Sequence, residues 1–200
     1  MEEELAKEQL IRYITEKVEL TDAQIEAVKK AYFLKKMVRK EHLFEQGSTC
    51  KFQGFVVGGT LRVYYLDQKM LEHVLYFAFK DWWVGDIASF FTDQPAMINV
   101  QAMEESWVLC VDRDSMEQLF IDVPPLERMF RIITQRTLAV LQKRFFLTVS
   151  ANAEERYKEL LGRHPKIEQL VPQHQIASYL GILPESLSRM KKQLVERERK

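Results

Sequence analysis

The chain has 200 residues, 46% hydrophobic and 29% charged, which is enough for one large domain or two small ones with a real core. Its 29 Lys and Arg balance its 29 Asp and Glu, so overall charge points to no class of partner, and the composition is that of an ordinary soluble globular protein. Cys50 and Cys110 form no Cys-x-x-Cys pair, no stretch approaches about 18 consecutive apolar residues, and MEEELAKEQL is acidic where a signal peptide would be basic and then apolar. Iron–sulfur or zinc ligation, a membrane span and secretion therefore have no support, and a cytoplasmic protein with buried reduced thiols is expected.

The first forty residues read as helices. Leu5, Ile11, Ile14 and Val18 fall at roughly helical spacing, and Thr21-Asp22-Ala23-Gln24 has the form of a capping box opening a second helix striped by Ile25, Val28 and Tyr32. From about His42 to Val111 the period changes to two. FVVGGTLRVYY (55–65), the alternating run from Leu71 to Ala78 and WVLCV (107–111) are strand-length segments, punctuated by Gly47, Gly54, Asp67-Gln68 and Thr92-Asp93-Gln94-Pro95. Short strands at close spacing predict a β-sandwich or roll rather than an alternating α/β sheet.

Asp112 can cap a short helix through Phe120, and Pro124-Pro125 opens a long one over about 126–149. Phe130, Ile133, Thr137, Val140, Arg144 and Leu147 form a near-heptad seam along it, while Met129, Ile132, Leu138, Leu141 and Phe145 make a second apolar stripe. Two apolar faces need two partners: the β domain and the same helix of a second subunit, with the seam from Phe130 to Arg144 as the dimerisation face. An internal core helix of a monomer is the alternative. Ala151-Asn152-Ala153 is the natural boundary before a helix over 154–163, supported by Glu154–Lys158 and Glu159–Arg163 and ended by Gly162 and Pro165. The predicted architecture is α+β: N-terminal helices and a jelly-roll-like double-stranded β-roll (1–123), a dimerisation helix (124–150) and a helical C-terminal domain (151–200).

The most informative stretch is QHQIASYLGILPESLSRMKKQL, Gln173 to Leu194. A helix-turn-helix needs a small residue where its helices approach, here Ala177, and a turn residue that tolerates positive φ, here Gly181. Ile176, Leu180, Ile182, Leu187 and Met190 supply the inner faces, and Pro184 suits the first turn of the second helix. The outward face carries Glu185, Ser186, Ser188, Arg189 and Lys192, residue types that read base edges and bind phosphates. From 183 to 200 six basic residues stand against three acidic ones, a basic end on a mildly acidic body. An αα-hairpin with an exposed polar face is the bland alternative.

These features resemble the Crp/Fnr family of bacterial transcription regulators over about 42–194. KEHLFEQGS resembles the turn opening that family's β-roll, FVVGGTLRVYY its central hairpin, WWVGDIASF its ligand-cradle segment and Pro124 to Val149 its dimer helix. Gln175-Ile176-Ala177, Gly181 and Glu185-Ser186-Leu187-Ser188-Arg189 are similar to its helix-turn-helix. The resemblance implies a homodimer on near-palindromic double-stranded DNA, with Glu185, Ser186 and Arg189 reading bases and RNA polymerase as a further partner.

Three departures stand out. Leu183 replaces the usual Ser or Thr cap. Little chain follows the second helix, so phosphate contacts would fall to Arg197, Arg199 and Lys200 rather than to a wing. The cradle also differs: family members that bind a cyclic nucleotide use a Gly-Glu pair for the ribose and an Arg, then a Ser or Thr, for the phosphate. Here the pair is Gly85-Asp86, the Arg position falls on Ala96 and Asn99 replaces the Ser or Thr. Without its guanidinium the phosphate loses a bidentate contact, so cAMP is not expected in the usual mode. The effector stays unidentified: another small molecule lined by Trp83, Gly85, Asp86 and Asn99, or none. A cupin-type enzyme would need clustered His around a metal. His42, His73, His164 and His174 share no ligand spacing, so no metal is expected. A ligand-binding module whose helical end docks protein is the remaining rival.

Overall fold

A computed structural model describes residues 1–92 and 94–198, with the side chain of Glu198 left aside. Asp93 of the expected turn, and Arg199 and Lys200 of the expected phosphate-binding tail, lie outside the described residues. The fold is mixed α+β, as the residue pattern predicts. Helices α1 (Glu3–Thr15) and α2 (Asp22–Ala31) lead into strands β1 (Phe33–Met37), β2 (His42–Phe44), β3 (Phe52–Gly58), β4 (Leu61–Leu66), β5 (Glu72–Ala78) and β6 (Trp83–Val84). Helix α3 (Ile87–Thr92), strands β7 (Asn99–Ala102) and β8 (Ser106–Asp112), and helices α4 (Arg113–Asp122) and α5 (Pro124–Ser150) follow. The chain continues through α6 (Ala153–Arg163), α7 (Ile167–Leu170), α8 (Gln173–Leu180) and α9 (Pro184–Glu198). Among the described residues no helix is long and apolar enough to cross a membrane.

The strands make two four-stranded sheets, ordered β1-β8-β3-β6 and β2-β7-β4-β5. The sheets face one another where Gly54 lies: a side chain there would meet Val108 and Val84 of its own sheet and Leu43 of the other. Local signals set several element ends. Thr21 and Gln24 form the expected reciprocal capping box on α2. Asp112 accepts from Ser115 N at 2.9 Å to start α4. Strand β1 was not expected, since FLKKM lacks clean alternation; it forms because β8 offers a paired edge from Cys110 (opposite Phe33) to Ser106 (opposite Met37).

The chain forms two compact units, one of Met1–Tyr65 with Tyr76–Arg136 and one of Leu66–Leu75 with the chain from Thr137 on. Each has its own core. In the first, Tyr13, Tyr32, Phe55 and Phe130 surround Trp83, with ring centroids 6.4, 6.3, 5.2 and 4.7 Å from it. In the second, Tyr157, Leu160, Ile167, Val171, Ile176, Ala177, Leu180 and Leu187 are buried. Its α5–α6 corner is tightly tied. Asn152 and Glu155 cap one another's backbone, and Arg156 donates to Ala151 O at 2.6 Å and to Leu180 O at 3.0 Å.

Candidate nucleic-acid interface and ligand cradle

Helix α8 ends because Gly181 takes a left-handed conformation, φ +67°, which costs a glycine nothing. Ile182 N then donates back to Ala177 O at 3.1 Å, folding the chain over toward α9. Ala177 and Leu187 are fully buried and Ile176 and Leu180 nearly so, while Ile182 and Met190 are half-buried. On the opposite side of α9, Glu185, Ser188, Arg189 and Lys192 are exposed and Ser186 is half-buried. Arg189 Nη2 lies 3.5 Å from Ser186 Oγ, so the two share a patch. A short polar ridge on a helix of this kind fits a major groove.

Not every basic group there is free. Lys191 is ion-paired with Glu168, and Arg197 meets Glu154 at 3.1 Å. Tyr157, buried in the head, donates its hydroxyl to Glu168 at 2.6 Å. Burial opposes ionisation of Glu168, but the Lys191 ammonium and Tyr157 hydroxyl together hold its carboxyl below the usual range. A depressed carboxyl stabilises the fold above its unfolded pKa of about 4.3, and that contribution is lost as pH falls through the folded value. Glu168→Gln should therefore lower the melting temperature at pH 7, and the gap from wild type should close below about pH 4 in a thermal scan. An equal gap at both pH values would contradict the ion-pair account.

The cradle residues are occupied from within. Asp86 accepts Ser89 N at 3.0 Å on one oxygen and Met97 N at 2.8 Å on the other. Asn99 accepts Gln46 N at 3.0 Å and donates to Tyr64 O at 3.4 Å. Ala96 pairs through its backbone with Gly47 and Ser48. A side chain at Gly85 would meet the Gln53 amide, which would have to move aside. Asp86 and Asn99 thus each bond the chain's own backbone, and Trp83 stands apart from both. Its neighbour Val84 points at Gly54 between the sheets, so Trp83 points the other way, into the aromatic cluster. Asp86→Ala should cost about 2 kcal/mol, the range for losing charge-assisted hydrogen bonds from a buried group, measurable by urea unfolding. An unchanged midpoint would mean that those bonds are not made.

The seam on α5 divides between two roles. Phe130 packs edge-to-face on Trp83 and Phe120, Ile133 is half-buried, and Arg144 lies over the Tyr179 ring at 4.2 Å. Thr137 and Val140 are exposed. The broadest apolar exposure is instead on the far side: Leu138, Leu141, Phe145 and Val149 are 55, 50, 73 and 75% exposed. Periodicity alone could not tell which stripe the chain covers itself.

Residues 34–122 match the cyclic nucleotide-binding domain family. No curated protein sequence matches the chain. Among solved structures, it is similar to the c-di-GMP responsive global regulator CLP of Xanthomonas campestris, with 14% identity, 89% of this chain and 93% of that one covered, and a TM-score of 0.74. It is also similar to FixK2 of Bradyrhizobium japonicum, at 18% identity over 84% of this chain and 86% of that one, with a TM-score of 0.71. A third similar structure is a Crp/Fnr-family transcriptional regulator from Eubacterium rectale, at 17% identity, 88% and 85% coverage and a TM-score of 0.69.

Proposed function

We propose that this chain, which has a cyclic nucleotide-binding domain and the fold of the Crp/Fnr regulators, is a DNA-binding transcription regulator acting as a homodimer. The observation that carries this is the outward ridge of Glu185, Ser188, Arg189 and Lys192 on α9, held over the buried Ala177 by the turn at Gly181. Arg189 forks onto a base edge, Glu185 accepts from cytosine, Ser186 reaches a base edge beside them, and Ser188 and Lys192 hold phosphates. Two chains pair through the exposed face of α5, and two-fold symmetry then sets half-sites about one helical turn, roughly 34 Å, apart.

The cradle supports no cyclic nucleotide in the usual mode, since Asp86 spends both oxygens on the protein's own backbone and Ala96 offers no cation. Isothermal titration with cAMP should show no specific heat; tight, saturable binding would overturn this part.

The main test is selection of duplexes from a random library by the purified chain, followed by binding at rising salt. A selected sequence with two-fold symmetry and an affinity that falls with salt is expected. Arg189→Ala should lower discrimination between selected and scrambled duplex by about 10-fold, the effect of losing one bidentate base contact. A chain indifferent to duplex DNA at low ionic strength would end the proposal.

A further inference from the structure

Strand β5 stands at the end of the order β2-β7-β4-β5, so among the described residues no strand lies beyond it in that sheet. Around residues 72–74 two helical side chains take up its outer backbone groups instead. Ser178 Oγ of α8 donates to Glu72 O at 2.9 Å and accepts from Val74 N at 3.1 Å. Arg144 of α5 donates to Val74 O at 3.4 Å, and its guanidinium rests on the ring of Tyr179, the residue after Ser178. A carbonyl at one residue and the amide and carbonyl two residues on are the groups that a neighbouring strand would engage. One hydroxyl and one guanidinium imitate that strand, and cover an edge that would otherwise be open to other chains.

We propose that Ser178, supported by Arg144, is a positioning residue that clamps α8 to the outer edge of β5 and thereby sets how α9 presents Arg189. The path is short. Ser178 follows the fully buried Ala177, whose carbonyl accepts from Ile182 N just before α9, and Ser178 O accepts from the Gly181 amide at 3.1 Å in the turn. The clamp consists of polar bonds to backbone, each modest in net strength, so it is releasable in a way that an apolar seam is not. It rests on α8–α9 being the DNA-reading pair, but the bonds themselves can be measured without DNA.

The experiment compares wild type, Ser178→Ala and Ser178→Thr in two measurements: hydrogen exchange of the Val74 amide and of α8, and binding to a duplex selected by the wild type against a scrambled one. In Ser178→Ala the Val74 amide should exchange about 10-fold faster, and the preference for the selected duplex should fall about fivefold, as losing bonds of this strength implies. Ser178→Thr, which keeps the hydroxyl, should restore both. Unchanged Val74 exchange overturns the clamp, as does faster exchange with full preference retained, or a Thr variant that behaves like the Ala one. If the wild type prefers no duplex, the proposed function fails rather than the clamp. Exchange of the α8 amides then decides the clamp: acceleration in Ser178→Ala supports it and no change overturns it.

Discussion

A chain carrying Leu141→Glu and Phe145→Glu is expected to run as a monomer where the wild type runs as a dimer, and to lose more than about 100-fold in affinity for a duplex with two half-sites. Leu138, Leu141, Phe145 and Val149 are each at least half exposed, and each one that a partner covered would contribute on the order of 1–2 kcal/mol. Two carboxylates there must either stay in water or be buried unpaired, and both outcomes oppose pairing. Under the proposed function a monomer keeps one reading head, so weak salt-dependent binding should survive while the gain from engaging two sites at once disappears. Light scattering and fluorescence anisotropy read the two effects separately. Phe130→Ala is the control: Phe130 packs inside its own unit, so it should lower stability and leave the dimer intact. A double-Glu chain that remains dimeric would place the interface elsewhere.

Trp83→Ala is expected to cost about 3–5 kcal/mol in stability, the range for deleting a large aromatic from a packed site. Trp83 joins α1, the end of α2, β3 and α5 through four ring contacts, so its removal opens a hole that several elements would have to fill at once. Trp83→Phe should recover most of the loss. Urea unfolding followed by circular dichroism reads both. If Trp83 instead lined a ligand cradle, the Ala variant would unfold within about 1 kcal/mol of wild type, the ordinary result away from a core.

The helix-turn-helix was the part most legible in the residues, because its geometry restricts single positions. Ala177 is small where no side-chain surface is left exposed, and Gly181 is glycine because φ is positive there. Helix starts at Thr21 and Asp112 were legible for the same reason: one side chain meets one backbone amide a few residues away. Where the deciding partner is distant, the pattern says less. Both stripes on α5 are apolar at helical spacing, and only the folded chain shows that Phe130 and Arg144 turn inward while Leu141 and Phe145 stay outside. Trp83 and Asp86 sit three apart, yet strand alternation sends Trp83 to the outer face. The contact of Ser178 with the β5 edge spans 104 positions and uses only backbone on one side, so no residue type marks it.

The corner at Asn152 has a mechanical meaning. Arg156 grips the carbonyl of Ala151 at the end of one helix and that of Leu180 at the end of another, and the Asn152–Glu155 lock removes the slack that a loose loop would leave. Such a bracket ties the two helix ends to one side chain. A rotation of the last turns of α5 about their own axis is therefore expected to be felt at the C-terminal end of α8, through the one side chain bonded to both.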